Sequence, residues 1–146
     1  MTTYNIYTEE NNATVSELEK IRDFLHLHLE QYGDSKTDIE KSLHYAMGKN
    51  GKPGGHVIVA VHENEMAGAV VVNKTGMEGF IPENILVYIA TDRSKRGTGI
   101  GKALMQEAIQ RSQGDIALHC EPDNPAKNLY TKLGFTSKYL EMRLKK

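Results

Sequence analysis

Apolar residues recur every three or four positions in two N-terminal stretches, which is the spacing of a helix with one buried face. The first predicted helix covers Thr14 to Gln31, and the second covers Asp38 to Met47. Thr14 or Ser16 suits the N-cap of the first helix. The next segment, Gly48 to Gly55, is rich in glycine and contains a proline, so it predicts a loop.

Beyond this loop the pattern changes to short strands rich in β-branched residues. A glycine-rich turn then leads into a third helix, and the rest alternates between strand and helix. This order predicts an α/β fold with a mixed sheet flanked by helices. The predicted elements are strands His56–His62, Met66–Asn73 and Asn84–Thr91, with the hairpin turn Glu63-Asn64-Glu65, a helix with apolar positions Ile100, Leu104, Ala108 and Ile109, strand Asp115–Cys120, helix Ala126–Leu133 and strand Thr136–Leu144.

Length and composition narrow the class of protein. The chain has 146 residues, so we expect one domain covering 1–146. Its 18 Lys and Arg nearly balance 19 Asp and Glu, which argues against a nucleic-acid partner. No apolar run approaches a membrane span and no signal peptide is evident, so we expect a cytoplasmic protein without a membrane partner. A single cysteine, Cys120, and scattered histidines predict no metal site.

The segment from Arg93 to Lys102 joins a predicted strand to a predicted helix and contains several glycines and basic residues. Glycines allow main-chain N–H groups to approach an anion, and the helix N-terminus adds a positive dipole. A P-loop is excluded because Arg96 stands at the required first glycine and Ala103 follows Gly101-Lys102. A dinucleotide-binding turn is excluded because its third glycine falls at Lys102.

Two motifs together match a known protein family better than the sequence matches either nucleotide-binding motif. The glycine-rich segment contains Arg-x-x-Gly-x-Gly at Arg96, Gly99 and Gly101, and the segment from Asn124 to Phe135 reads NPAKNLYTKLGF. On these motifs the sequence resembles the GNAT superfamily of acetyl-CoA-dependent N-acetyltransferases. The resemblance implies a mostly antiparallel sheet that is splayed between two strands and flanked by helices.

The resemblance also implies roles for individual residues. Tyr130 matches the tyrosine that protonates the departing CoA thiolate, and Asn124 matches an asparagine that contacts CoA. The strand residues Val87, Ile89 and Thr91 would pair with the pantetheine arm, and an N–H near Val87 or Ile89 would polarise the acetyl carbonyl. The pyrophosphate of CoA would bind the main-chain amides of Arg96, Gly97, Thr98, Gly99, Ile100, Gly101 and Lys102.

The sequence departs from the family pattern in two places. The asparagine usually stands seven residues before the tyrosine, where this chain has Asp123, and Asn124 stands six before. The strand glutamate that acts as general base in some members is replaced by Ile85. Glu83 is the predicted substitute, since strand alternation places it on the same face. His119, Glu121 or no base at all are the alternatives.

The predicted reaction is acetyl transfer from acetyl-CoA to a primary amine of a small molecule or peptide, by direct attack in a ternary complex. The alternative is a non-catalytic acyl-CoA-binding regulatory module. Acidic residues near the first two helices suggest a cationic acceptor. The last strand, Ser137 to Leu144, suggests a possible homodimer. The residues behind the acceptor prediction are Glu30, Tyr32, Asp34, Asp38 and Glu40.

Overall fold

A five-stranded sheet with helices on both faces forms the centre of the protein in the computed structural model, which describes residues 1–146. Strands lie in the order β1-β2-β3-β4-β5; the first four are antiparallel and β5 is parallel to β4. The predicted mixed, mostly antiparallel sheet is therefore confirmed. The elements are β1 (Thr2–Tyr7), α1 (Val15–His28), α2 (Lys36–Ala46), β2 (Gly55–His62), β3 (Glu65–Lys74), β4 (Asn84–Thr91), α3 (Ile100–Arg111), β5 (Ile116–Leu118) and α4 (Lys127–Lys132), with short 3₁₀ turns at Glu30–Tyr32, Lys49–Gly51 and Arg93–Lys95.

Helix α1 begins at a capping box. The hydroxyl of Thr14 accepts a hydrogen bond from the Glu17 amide at 3.1 Å, and the Glu17 carboxylate accepts one from the Thr14 amide at 2.8 Å. The helix ends at His28, three residues before the predicted end, because the chain turns at Glu30 with a φ of 56°. Its buried face consists of Leu18, Ile21 and Leu25.

Two hydrophobic clusters hold the helices against the sheet. Helices α1 and α2 cover one face, and α3 and α4 cover the other. The packing of α3 is close, since a Cβ built on Gly68 of β3 would lie 2.6 Å from Leu104 Cδ1. None of the helices combines the length and apolar character needed to cross a membrane. The fully buried side chains include Leu25, Ile39, Leu43, Ile58, Val70, Val72, Leu104 and Met105.

Strand β1 was not predicted, and the expectation that helices open the chain is wrong. Residues from Thr2 to Tyr7 pair with β2 in an antiparallel register that sets Tyr4 opposite Ala60. Tyr4 and Ile6 pack on the cluster under α3. The free edge of β2 supplies hydrogen-bond partners along the whole segment, so a pattern too short to be recognised alone forms a strand.

The predicted strand from Thr136 to Leu144 is also wrong. This segment forms no strand, and the side chains of Tyr139, Leu140, Met142 and Leu144 are 80% to 88% exposed. The predicted strand Asp115–Cys120 shortens to Ile116–Leu118. An edge of three residues offers few backbone partners, which explains why the alternating pattern of the C-terminal segment does not become a strand here.

Candidate active site

Strands β4 and β5 separate partway along their length. They pair only from Asn84 opposite Ile116 to Leu86 opposite Leu118. Strand β4 continues to Thr91, and from Val87 onward it has no neighbour on the side away from β3. Outward N–H and C=O groups on such an edge can pair with an extended ligand. The edge contains Val87, Ile89 and Thr91, the three strand residues that the family resemblance implies would pair with the pantetheine arm.

A β-bulge lies where the two strands part. Leu86 pairs with Val72 and Tyr88 pairs with Val71, so Val87 is an extra residue in β4. Side-chain alternation is interrupted there: Val87 and Tyr88 both pack towards α1 and α2, whereas Leu86 packs towards α3 and α4. The bulge therefore removes the main chain of Val87 from regular pairing at the base of the open edge.

The glycine-rich loop follows the open edge of β4. Gly97 and Gly99 have φ values of 81° and 87°, in the left-handed region that favours glycine, and a Cβ at either would meet nothing within 4 Å. Every main-chain N–H from Arg96 to Lys102 lacks a hydrogen-bond acceptor within the protein, and the first bond of α3 comes from the Ala103 amide. These N–H groups at the start of a helix make an anion-binding surface.

The third glycine of the loop lies beside the end of β4 and α4. A Cβ on Gly101 would lie 3.4 Å from the Thr91 hydroxyl and 3.8 Å from Leu129 Cδ2, which are ordinary van der Waals distances. A methyl group therefore fits at this position. The start of α3 is in this way packed directly against the end of the open strand edge.

Tyr130 lies on α4 with its ring buried. The side chain is 7% exposed, and its ring centroid is 6.0 Å from that of Phe135. Burial, with the nearby Cys120, raises the pKa of Tyr130 to about 12. Its hydroxyl has no hydrogen-bond partner in the protein. A phenol that stays protonated at neutral pH and has an uncommitted proton is suited to act as a donor.

Asn124 shapes the turn that precedes α4. Its Oδ1 accepts a hydrogen bond from the Ala126 amide at 2.9 Å, and its carbonyl accepts one from the Lys127 amide at 3.1 Å. The side-chain oxygen thus accepts one hydrogen bond within the protein, and the amide NH₂ has no acceptor there. A contact between Asn124 and CoA stays a prediction, with this NH₂ as the available donor.

Glu83 lies at the other end of β4 from the glycine-rich loop. Its carboxylate accepts hydrogen bonds from the Asp115 amide at 2.7 Å and the Gly79 amide at 3.0 Å. These bonds hold the pKa of Glu83 below its ordinary value. The contacts show that Glu83 joins the β3–β4 loop to the turn before β5, and its role as general base stays a prediction. No three His, Cys, Asp or Glu side chains are grouped to hold a metal ion.

The segment between α1 and α2 contacts the glycine-rich loop, strand β4 and the turn before α4. We call residues 30–34 the bridging segment. Its three contacts join residues 54 to 91 positions apart, so no local pattern could have shown them. They are Glu30 Oε1 with Arg96 Nη1 of the glycine-rich loop at 2.9 Å, Tyr32 Oη with the Asp123 carbonyl at 3.3 Å, and Asp34 Oδ2 with Tyr88 Oη of β4 at 2.5 Å.

Comparison with known proteins agrees with this geometry. The family described as acetyltransferase (GNAT) domain matches residues 53–137, which include β2 to α4. No curated protein sequence matches the chain significantly.

Solved structures share the fold at low sequence identity. The ribosomal-protein-S18-alanine N-acetyltransferase of Escherichia coli is 18% identical with a TM-score of 0.70, covering 95% of this chain and 80% of its own. A ribosomal-protein-alanine N-acetyltransferase of Brucella melitensis is 15% identical with a TM-score of 0.65, covering 99% of each chain. A transcriptional regulator of Bacillus halodurans is 22% identical with a TM-score of 0.68, covering 98% of this chain and 99% of its own.

Proposed function

The chain belongs to the GNAT acetyltransferase family, and from this premise we propose that it transfers an acetyl group from acetyl-CoA to a primary amine of a small molecule or peptide. The amine attacks the thioester directly in a ternary complex. The observation that carries this proposal is the run of unpaired N–H groups from Arg96 to Lys102, which directly follows the open edge of β4.

The two features suit different parts of acetyl-CoA. Helix-terminal amides favour the pyrophosphate because they combine hydrogen-bond donors with the positive end of the α3 dipole. The open edge from Val87 to Thr91 extends for about 13 Å, at about 3.3 Å per residue, and supports pairing with the amide groups of an extended pantetheine arm. With the pyrophosphate at the loop, the thioester lies towards the bulge at Val87.

The proposed reaction forms one C–N bond and breaks one C–S bond. The neutral amine, having lost a proton to solvent, attacks the carbonyl carbon, and negative charge grows on the carbonyl oxygen. An N–H of β4 at Val87 or Ile89 stabilises this charge. As the C–S bond breaks, Tyr130 donates its phenolic proton to the CoA thiolate. The attacking nitrogen then loses its extra proton to water, and the Tyr130 phenolate regains a proton from water. Holding both reactants in place contributes about 7–11 kcal/mol.

A binding module without turnover is the second candidate. Ile85 stands where a carboxylate base acts in some family members, and both oxygens of Glu83 accept main-chain hydrogen bonds. A protein of this kind would bind acyl-CoA with the same loop and edge but release no thiol. The two candidates therefore share a ligand and differ only in turnover.

The first experiment measures thermal unfolding with acetyl-CoA, using NADH and ATP as controls. Ligand at about one hundred times its Kd adds about 2.7 kcal/mol of stability and raises Tm by several degrees. Gly99→Asp places a carboxylate in the anion site and should abolish the shift. Gly51→Asp is the matched control, because Gly51 is exposed, has a φ of 74° and also has open space around a built Cβ.

A second measurement separates the two candidates. Thiol release from acetyl-CoA is followed in the presence of a panel of primary amines. Release that depends on the amine supports the transferase. Binding of acetyl-CoA without release by any amine contradicts it and supports the binding module, and the absence of a Tm shift contradicts both.

A further inference from the structure

Four carboxylates lie near the predicted acceptor side, and they differ in whether a basic side chain pairs with them. They are Glu30, Asp34, Asp38 and Glu40. Three of the four have a basic partner, whereas Asp34 forms no ion pair with any Lys, Arg or His. Lys36, the nearest lysine along the chain, pairs instead with Asp23 at 3.3 Å. The partners of the other three are Arg96 for Glu30 at 2.9 Å, Lys41 for Asp38 at 3.7 Å and Arg22 for Glu40 at 3.0 Å.

Asp34 is nevertheless held in one place. Its Oδ2 accepts a hydrogen bond from the hydroxyl of Tyr88 at 2.5 Å, while its Oδ1 has no hydrogen bond within the protein and the residue is exposed. Tyr88 is 8% exposed and is fixed in the core beside α1 and α2. A buried phenol thus anchors one oxygen of an exposed carboxylate and leaves the other oxygen facing solvent.

The Asp34–Tyr88 pair is connected to the proposed reaction site through strand β4. Tyr88 directly follows the bulged residue Val87, and both side chains point to the face covered by α1 and α2. Burial and the Asp34 carboxylate raise the pKa of Tyr88, so the phenol remains a hydrogen-bond donor to Asp34 over the physiological range. The free Oδ1 therefore belongs to a carboxylate held by the residue that directly follows the bulge, on the face of β4 covered by α1 and α2.

We propose that Asp34 binds a second positive charge on the acceptor, so that the preferred acceptor is an amine that also carries an ammonium or guanidinium group. This inference rests on the proposed function and names its substrate class. One amine of such an acceptor is neutral and attacks the thioester, and the charged group donates hydrogen bonds to Oδ1. A charge-assisted hydrogen bond to a carboxylate that lacks any other cation discriminates between charged and uncharged acceptors.

The test compares 1,4-diaminobutane with 1-aminobutane, which are similar in length and differ in the second charge. We expect the wild-type kcat/KM to favour the diamine by about tenfold or more, the range of one charge-assisted contact. Asp34→Asn should bring this ratio close to one, mainly by raising KM for the diamine. Asp38→Asn is the matched control and should preserve the ratio, because Asp38 already pairs with Lys41. Asp34→Glu keeps the charge and should restore part of the preference.

Binding is measured separately from turnover. The diamine is titrated calorimetrically into protein saturated with CoA, and Asp34→Asn should weaken binding by about fivefold or more. If the diamine binds through Asp34 but no amine is acetylated, the cation-binding role of Asp34 stands and the proposed function fails. If either amine is acetylated but Asp34→Asn leaves both the ratio and the binding unchanged, the inference is overturned and the proposed function stands. A wild type that neither binds nor prefers the diamine also overturns the inference.

Discussion

Arg96 and Glu30 form an ion pair that joins the glycine-rich loop to the bridging segment, with Arg96 Nη1 2.9 Å from Glu30 Oε1. The second guanidinium nitrogen, Nη2, donates a hydrogen bond to the His28 carbonyl at 2.9 Å. Glu30 also faces Arg93, with 3.8 Å between Oε2 and Nε. The guanidinium nearest the proposed pyrophosphate site is therefore partly neutralised by a carboxylate from the acceptor side.

Glu30→Gln should strengthen acetyl-CoA binding. The substitution removes a negative charge close to where the anionic cofactor binds and releases Arg96 from competition. We expect Kd to fall by about two- to fivefold at low ionic strength, and the difference to shrink as added salt screens the charges. Calorimetric titration at two salt concentrations measures both effects. Glu40→Gln, whose partner Arg22 belongs to the α1–α2 pair, is the control; weaker binding by Glu30→Gln would contradict the charge argument.

Tyr130→Phe should slow the chemical step without weakening cofactor binding. The substitution removes only the hydroxyl, which has no partner in the protein, so Tm should stay close to that of the wild type. Loss of the proton donor should lower kcat by about 10²-fold, at the lower end of the range for general acids because a thiolate leaves readily. Steady-state kinetics and the acetyl-CoA Tm shift measure the two effects. An unchanged kcat would remove Tyr130 from the mechanism.

Glu83→Gln should affect stability and leave turnover nearly unchanged. The carboxylate accepts main-chain hydrogen bonds from Gly79 and Asp115, and they lower its pKa in the folded protein. Its stabilising effect is present above the ordinary glutamate pKa and disappears as the pH falls through the lowered folded value. The variant should therefore have a lower Tm at neutral pH and a flatter acid dependence, with kcat within about twofold of the wild type. A kcat reduced by orders of magnitude would instead support Glu83 as the general base.

His56 should make the protein less stable in mild acid. Burial, with Arg111 and Lys74 nearby, lowers the pKa of His56 from 6.5 to about 4, and its Nε2 has no hydrogen-bond partner. Below pH 6.5 the unfolded chain binds a proton that the folded chain does not, so the free energy of unfolding falls as the pH drops towards 4. The loss reaches roughly 3 kcal/mol at about pH 4.

Urea unfolding at several pH values checks this prediction. His56→Gln has no imidazole to titrate, so its unfolding free energy should decline less steeply over the same interval. His26→Gln is the matched control, because it makes the same substitution at an exposed position on α1. Equal slopes for the wild type and His56→Gln would contradict the assignment.

The helices and the glycine-rich loop were predictable because their signals are local. Thr14 and Glu17 form a capping box three residues apart, and Gly97 and Gly99 adopt the left-handed backbone that glycine permits. The hairpin turn is similarly local: Glu63 and Asn64 both have positive φ, as a tight hairpin requires. Such features depend on neighbours along the chain, and the sequence displays them directly.

The remaining features depend on partners distant in sequence. Strand β1 forms because β2 leaves an edge open, whereas the C-terminal segment has the alternation of a strand but no strand beside it. The extra residue Val87 in β4 is visible only through its pairing with β3. Asp34 and Tyr88 are 54 residues apart in the sequence. The sequence therefore shows Asp34 as one of several acidic residues but does not show its contact with Tyr88.

The amides from Arg96 to Lys102 and the bulge at Val87 determine which substitutions and deletions this site can accept during evolution. Both belong to the main chain, so they place few demands on side chains other than the positive φ that favours glycine at Gly97 and Gly99. The residues between the glycines are then free to drift while the acetyl donor continues to be held. Deleting Val87, in contrast, would give regular pairing with Leu86 and Tyr88 on their present faces and would remove the irregular main chain at the base of the open edge. At this site, evolution is therefore expected to conserve the number of residues more strictly than their identity.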